Sequence, residues 1–296
     1  MASDNNRVGN GYKFLFQRLT ENGSFNNFLD WAVFLYQTSH WSLFNAALAY
    51  LQRDSCVCLK SESAWEKIGR TVKSSATPIV IMQPFGPVAF VYDLADTEGA
   101  CVPENLQSFD EFIEPPLQPI SKVILGSMKE LCTDLGVKYY EKPMGAGKCG
   151  ESRIRKNRMY YGAASKDKKR KIGWYEIIIN SNCNDTSKAT TIFHELGHIL
   201  CGHLPLEKEK RKENSLKVPD RKDDNLDLSM KEWEAEKVCE TTCRMLGIEY
   251  DASGYLSEYG YGSLFEKKTG SARIVLDAAD KIMKMLELIE KRNRLK

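Results

Sequence analysis

Three of the four histidines in this chain of 296 residues fall within ten positions, between His194 and His203. The first part of that stretch is an H-E-x-x-H motif formed by His194, Glu195 and His198. On a helix, positions i and i+4 lie on one face, so the two imidazoles can bind one Zn²⁺ ion. The glutamate between them lies beside the ion, where a carboxylate can take a proton from a metal-activated water. The motif therefore predicts a zinc-dependent hydrolase with Glu195 as the general base.

The sequence around the motif predicts a buried helix. Asn184, Asp185 and Thr186 are candidate N-cap residues, and Gly202 is a natural helix end. The face opposite the histidines is apolar and consists of Ile192, Phe193, Leu196, Ile199 and Leu200. A polar stripe backed by an apolar stripe is what a catalytic helix in a protein core requires.

Catalytic zinc needs a third protein ligand in addition to the two histidines. A third histidine six residues after His198 would indicate the metzincin arrangement, but Leu204 occupies that position. His203 lies one residue too early, and we interpret it as a helix-end residue rather than a ligand.

A carboxylate from a later helix is the other source of a third ligand. Glu232 and Glu236 share one face of a predicted helix, whereas Glu234 points away from both. We expect Glu232 to bind the metal and Glu236 to accept a hydrogen bond from a ligating histidine. The alternative is a capping box, in which Ser229 and Glu232 close the start of that helix.

The remaining pattern predicts an α+β chain with two domains, residues 1–115 and 116–296. The first would contain two helices within 12–53, strands at 78–83 and 88–92 joined by a turn at 84–87, and a Pro-rich acidic linker at 100–120. The second would contain a helix near 120–135, a strand at 174–180, a charged loop at 204–228, and helices at 229–246 and 271–293.

Composition predicts a cytoplasmic protein without a membrane partner. No apolar run approaches the roughly 20 residues that span a bilayer, and the first residues do not resemble a signal peptide. The nine cysteines have no spacing typical of a disulfide framework, which favours a reducing compartment. The formal net charge of +2 does not by itself indicate a partner.

Motifs in both halves of the chain resemble those of ArdC-type antirestriction proteins. The peptidase half of that family is related to ImmA/IrrE-like zinc peptidases. The segments that carry the resemblance are Ser42–Asn45, Gln52, Trp65–Lys73, Ile79–Ile81, Val91–Gly99, Thr191–His198, Glu232–Glu236 and Tyr255–Tyr259. They occur in the same order and cover most of the chain.

The resemblance implies a small α+β domain that binds single-stranded DNA, followed by a zincin-like metallopeptidase domain. It places His194, His198 and Glu232 as the zinc ligands and Glu195 as the base. Tyr255 falls where the family has a tyrosine, whose phenol could stabilise an oxyanion or donate a proton. The alternative for Tyr255 is a packing aromatic in a tyrosine-rich segment.

One segment also has the composition of a nucleic-acid groove. Residues 148–171 contain ten Lys or Arg and only two acidic residues, with tyrosines interleaved. Such a surface can follow phosphates while aromatic rings stack on bases, although a solvated loop has the same composition. The DNA-binding candidates are Arg153, Arg155, Lys156, Arg158 and Tyr160 here, and Trp65, Arg70 and Lys73 in the first half. No helix-turn-helix or zinc-finger spacing occurs, which disfavours sequence-specific reading of duplex DNA.

The sequence thus predicts an antirestriction-type protein of a mobile element that binds single-stranded DNA and cleaves a protein or peptide substrate. Two alternatives remain open at this point. The zinc fold could be a non-catalytic scaffold for DNA or partner binding, or the chain could be an ImmA-like peptidase that cleaves a repressor.

Overall fold

The computed structural model describes residues 28, 31–32, 35–36, 41–83, 86–99, 122–145, 147–161, 171–222, 225–248, 250 and 271–295. The chain divides into two compact units. Unit 1 is 1–115 with 265–273, and unit 2 is 116–264 with 274–296. Both units contain helices and strands, which confirms the α+β class. Among the described helices, none combines the length and apolarity needed to cross a bilayer.

The described residues of unit 1 include helices α1 (Leu43–Gln52) and α2 (Glu62–Glu66) and form five strands. The strands are β1 (Leu59–Lys60), β2 (Arg70–Val72), β3 (Ile79–Gln83), β4 (Gly86–Asp93) and β5 (Thr97–Gly99). Three of them form an antiparallel sheet in the order β1–β4–β3, and β2 pairs with β5. The predicted strands at 78–83 and 88–92 correspond to β3 and β4. The predicted linker at 100–120 lies outside the described residues.

Two amide side chains of α1 cover the free edge of β3. Asn45 exchanges two hydrogen bonds of 3.0 Å with the backbone of Met82. Gln52 does the same with Val80, at 2.8 and 2.9 Å. An uncovered strand edge exposes unpaired N–H and C=O groups, so these side chains replace a missing neighbouring strand. Two residues of the family-like motif therefore have a structural explanation.

The described residues of unit 2 form a three-stranded sheet and five helices. The strands are β6 (Val137–Lys142), β7 (Gly150–Tyr161) and β8 (Lys171–Asn180), in the order β6–β8–β7, with β6 parallel and β7 antiparallel to β8. The helices are α3 (Lys122–Leu135), α4 (Asp185–Leu200), α5 (Lys208–Glu213), α6 (Leu228–Met245) and α7 (Ser271–Arg294), of which α7 belongs to unit 2 from residue 274 onward. Strands β6 and β7 were not predicted, and α5 lies inside the predicted charged loop.

Helices α4 and α6 pack closely because α4 has a glycine at the contact. A methyl group added to Gly197 would lie 2.8 Å from Ala235 Cα and 2.9 Å from Ala235 O. Gly150 at the start of β7 has a similar role, since a methyl group there would lie 2.6 Å from Thr191 Cγ2. These contacts bring the backbones of α6 and β7 next to the H-E-x-x-H segment.

Candidate metal centre

The histidine motif lies on the C-terminal half of α4. Asn184 is the N-cap residue, and its side chain accepts a hydrogen bond from the backbone N–H of Ser187 at 2.8 Å. The apolar residues predicted to back the motif are buried. As a result, the side chains of His194 and His198 are held on one face, with their Nε2 atoms 3.1 Å apart.

Glu232 of α6 completes a cluster with the two histidines. Its carboxylate oxygens lie 3.3 Å from His194 Nε2 and 3.5 Å from His198 Nε2. Helix α6 is capped by Asp227, which accepts a hydrogen bond of 2.7 Å from Met230 N–H. The alternative in which Ser229 and Glu232 form a capping box is therefore wrong, because the helix begins two residues earlier.

The dimensions of this cluster fit a divalent metal ion. Tetrahedral Zn²⁺ with bonds of about 2.0–2.1 Å requires donor atoms about 3.3–3.4 Å apart. The two Nε2 atoms lie 3.1 Å apart, and the nearest Glu232 oxygen is 3.3 Å from His194 Nε2 (Oε2) and 3.5 Å from His198 Nε2 (Oε1). These separations bracket that value. Two imidazole nitrogens and a carboxylate are also the donors that catalytic zinc sites use.

Glu236 lies behind His194 rather than in the cluster. Its Oε2 is 3.0 Å from His194 Nδ1, and the hydroxyl of Tyr250 donates a hydrogen bond to its other oxygen. Burial opposes a charge on His194, but hydrogen bonds to Glu232 and Glu236 outweigh it and raise the pKa of His194 to about 10. Two carboxylates thus favour a cation at this position, which is a proton when no metal is bound.

His203 and Glu234 have contacts that the sequence analysis did not foresee. His203 Nδ1 lies 2.9 Å from His198 Nδ1, and His203 Nε2 lies 2.7 Å from Glu234 Oε2. Glu234 is 0% exposed and is also bound by Arg221. As predicted, Glu234 lies on a different face of α6 from Glu232 and Glu236. That face is buried, so the Glu234 carboxylate contacts His203 and Arg221 instead of water. Burial lowers the pKa of His203.

A cleft of about 350 Å³ opens beside the cluster. The side chains of His194, Glu195, Glu236 and Tyr250 line it, together with residues 147–150 at the start of β7. Glu195 is 8% exposed, so its carboxylate is largely shielded from bulk water but borders the cleft. The sequence analysis gave Tyr250 no role of its own, and Tyr255, the predicted catalytic tyrosine, lies outside the described residues.

Two of the predicted DNA contacts in unit 1 are wrong. Trp65 is 0% exposed, and its indole N–H donates to the carbonyl of Tyr92 at 2.9 Å, so the ring cannot stack on a base. Arg70 is buried and donates to the hydroxyl and the carbonyl of Thr97. Both side chains hold the fold of unit 1 together. Lys73 is exposed, with its amino group 2.8 Å from the carbonyl of Ala95.

The basic candidates in unit 2 lie on β7, and acidic partners offset much of their charge. Arg153 and Arg155 both form 2.5 Å ion pairs with Glu176, which is opposite Arg153 on β8. Arg158 lies 3.3 Å from Glu213. Lys156 is exposed, whereas the side chain of Tyr160 is outside the described part of the structure. Strand β7 therefore offers a mixed surface of cations and ion pairs rather than a uniformly positive groove.

Removing the Glu232 carboxylate should weaken metal binding more than any change that only reorients a ligand. We expect Glu232→Gln to raise the dissociation constant for Zn²⁺ by more than about 100-fold, beyond the 10–100-fold typical of outer contacts. Calorimetric titration of the metal-free protein measures this. Glu240→Gln, two turns further along α6 and paired with Lys237, is the matched control and should bind as the unmodified protein does.

Comparisons with known proteins find structures but no family model. No family model matches the chain, and no curated protein does. Two crystal structures of the antirestriction protein ArdC from plasmid R388 are similar, each at 12% sequence identity. The metal-free one covers 83% of both chains with a TM-score of 0.34. The Mn(II)-bound one covers 93% of this chain and 97% of the other, with a TM-score of 0.40.

ArdC is the name of the family that the sequence motifs resemble. At 12% identity and with TM-scores below 0.5, the structural similarity transfers no activity to this chain.

Proposed function

We propose that unit 2 is a metal-dependent peptidase with Zn²⁺ as its metal. The observation that carries the proposal is the convergence of His194, His198 and Glu232 from two helices at distances that suit one tetrahedral ion. Such an ion, when bound, polarises a carbonyl and makes water acidic enough to act as a nucleophile near neutral pH.

The residues of the chain supply proton transfer and orientation. Glu195 follows the first ligand directly and borders the cleft, so its carboxylate can accept a proton from the attacking water and deliver it to the leaving amine. Its low exposure excludes most competing solvent. Glu236 holds the His194 ring in one orientation by its contact with Nδ1, and Tyr250 holds Glu236 in turn.

Metal analysis followed by a peptide-library assay tests the proposal. The protein is stripped with a chelator, titrated with Zn²⁺ and Mn²⁺ in parallel, and then incubated with a library read by mass spectrometry. The proposal expects one bound ion per chain and cleavage that chelation abolishes and metal restores. A protein that binds neither ion at micromolar concentration would overturn it. Cleavage that persists in the Glu232→Gln variant would also overturn it.

We further propose that the chain binds single-stranded DNA and acts against restriction of incoming DNA. The motif resemblance to ArdC-type proteins supports this role, and the exposed Lys73 and Lys156 supply cations for phosphate contacts. The logarithm of the binding constant for a fluorescent oligonucleotide should fall linearly with the logarithm of the salt concentration. The slope should be about −0.7 for each phosphate contacted. Absence of binding at low salt would leave a partner-docking or repressor-cleaving role for the peptidase instead.

A restriction assay in cells separates the scaffold alternative from the enzymatic one. The efficiency with which unmodified phage or plasmid DNA enters a restricting host is compared for the unmodified protein and Glu195→Gln. Equal protection by both would assign the effect to binding alone.

A further inference from the structure

We propose that His203, Glu234 and Arg221 form a hydrogen-bonded chain that fixes the orientation and tautomer of the metal ligand His198. The proposal rests on the proposed metal site, and it assigns positioning roles to three residues that do not contact the metal. The chain runs from His198 Nδ1 to His203 Nδ1, from His203 Nε2 to Glu234 Oε2, and from Glu234 to Arg221.

The donor and the acceptor of each of these hydrogen bonds follow from the protonation of the two imidazole rings. His198 Nε2 faces Glu232 and His194, so its lone pair must be free for the metal, and the proton of the neutral ring is on Nδ1. His198 Nδ1 therefore donates to His203 Nδ1. His203 then has its own proton on Nε2 and donates it to Glu234, whose carboxylate can only accept.

Arg221 keeps the acceptor at the end of this chain in place. Its two terminal amino groups bind the two oxygens of Glu234, and one of them also donates to the carbonyl of Cys201 at 3.3 Å. Arg221, His203 and Glu234 are all buried. A buried carboxylate is costly unless it is paired and hydrogen-bonded, and this one has an arginine and a histidine on its oxygens.

The backbone at the end of α4 is shaped to bring His203 back onto His198. Gly202 has a φ of +78°, and a methyl group on it would lie 2.5 Å from the carbonyl oxygen of Pro219. This left-handed turn lets the N–H of His203 reach the carbonyl of His198 at 3.0 Å. The same turn sets the two imidazole rings edge to face, with centroids 5.1 Å apart.

Helix α6 thus orients the two ligating histidines in different ways. His194 donates directly to Glu236, whereas His198 reaches Glu234 through a second imidazole. Three glutamates at alternate positions of α6 would therefore have three functions: Glu232 as ligand, Glu236 behind one histidine and Glu234 behind the other. Contacts of this kind typically change metal affinity by 10–100-fold when removed.

Three substitutions of His203 separate a positioning role from a packing role. His203→Asn can place its amide oxygen near the position of Nδ1 and accept from His198, but it is too short to reach Glu234. His203→Gln can reach Glu234 but leaves His198 Nδ1 without its acceptor, and His203→Phe keeps ring volume and removes both bonds. We expect the dissociation constant for Zn²⁺ to rise least for Asn, and by about 10–100-fold for Gln and Phe.

Two measurements accompany these titrations. The visible spectrum of the Co²⁺-loaded protein should change in the Phe variant, because His198 is free to rotate at the metal. Thermal unfolding of the metal-free variants identifies any that do not fold. A folded Phe variant that binds Zn²⁺ within twofold of the unmodified protein, with an unchanged Co²⁺ spectrum, would overturn the positioning role.

The unmodified protein gives a test that does not depend on any variant. Long-range ¹H–¹⁵N NMR correlations of the metal-free protein report which ring nitrogen of each histidine is protonated. We expect protonated Nδ1 and bare Nε2 for His198, and the reverse for His203. The opposite pair of tautomers would refute the inference while leaving the peptidase proposal intact, whereas failure of the unmodified protein to bind metal would refute the peptidase proposal first.

Discussion

Replacing Glu195 by glutamine is expected to lower the rate of peptide cleavage by about 10²–10⁴-fold, the usual contribution of a general base. Glutamine has nearly the same shape as glutamate but cannot take a proton from water at neutral pH. The Glu195 side chain borders the cleft and is absent from the cluster formed by His194, His198 and Glu232. Steady-state cleavage of the best library peptide, with the enzyme saturated with Zn²⁺, measures the effect.

Metal content separates this result from a trivial loss of the site. The Glu195→Gln variant should bind one Zn²⁺ with an affinity close to that of the unmodified protein, and Glu240→Gln should leave both affinity and rate unchanged. Full activity in a metal-loaded Glu195→Gln variant would assign proton transfer to another residue. Loss of the metal together with the activity would instead give Glu195 a structural role at the site.

The sequence predicted the elements of the candidate metal centre because each has a local signal. The spacing of His194 and His198 and the apolar face behind them specify one helix. The three candidate caps at 184–186 limited its start to three positions, of which the structure uses the first. The spacing of Glu232 and Glu236 correctly placed both carboxylates toward His194. The periodicity of apolar residues and the identity of capping residues involve only a few neighbouring positions, so both can be identified without a tertiary structure.

The contacts behind His198 had no such local signal. His203 and Glu234 are 31 residues apart, and Arg221 comes from the segment between α5 and α6. The left-handed turn at Gly202 brings His203 back to His198, and the two other residues come from later segments. Helical geometry alone showed that Glu234 faces away from Glu232, but it could not show that a buried histidine and arginine occupy that side.

Exposure was the other property that the sequence did not determine. Trp65 and Arg70 occur in a motif that resembles a DNA-binding family, yet both side chains are buried. A tryptophan or arginine in a motif can be retained for packing as well as for binding, and residue type does not distinguish the two. Strand β7 was missed for a related reason: its side chains are mostly charged or polar and lack the apolar alternation that indicates a strand.

Close packing at Gly197 leads to a second prediction with a large effect, on stability rather than activity. Gly197→Ala should destabilise unit 2 by about 1–3 kcal/mol, the typical cost of overpacking, even though alanine favours a helix. The added methyl group would contact the backbone of Ala235 at 2.8–2.9 Å and Val238 Cβ at 3.2 Å, and backbone atoms cannot move aside without shifting α6. Chemical denaturation followed by far-ultraviolet circular dichroism would measure the change in unfolding free energy.

Gly126→Ala is the matched control for this substitution. Gly126 is an exposed residue inside α3, and a methyl group added there meets no atom within 4 Å. Alanine at that position should stabilise the protein by about 0.5–1 kcal/mol through helix propensity alone. Opposite signs for the same chemical change in two helices would establish that the contact with α6, and not helix propensity, determines the result at Gly197.

Gly197→Ala should also weaken metal binding, because Gly197 lies between the two histidines in the sequence and faces the helix that supplies Glu232. A shift of α6 away from α4 by a few tenths of an ångström lengthens the distances from the Glu232 carboxylate to both imidazoles. A stability loss in Gly197→Ala with unchanged Zn²⁺ affinity would contradict this coupling. If both fall together while Gly126→Ala retains its affinity, the close approach of the two helices is what sets the dimensions of the metal centre.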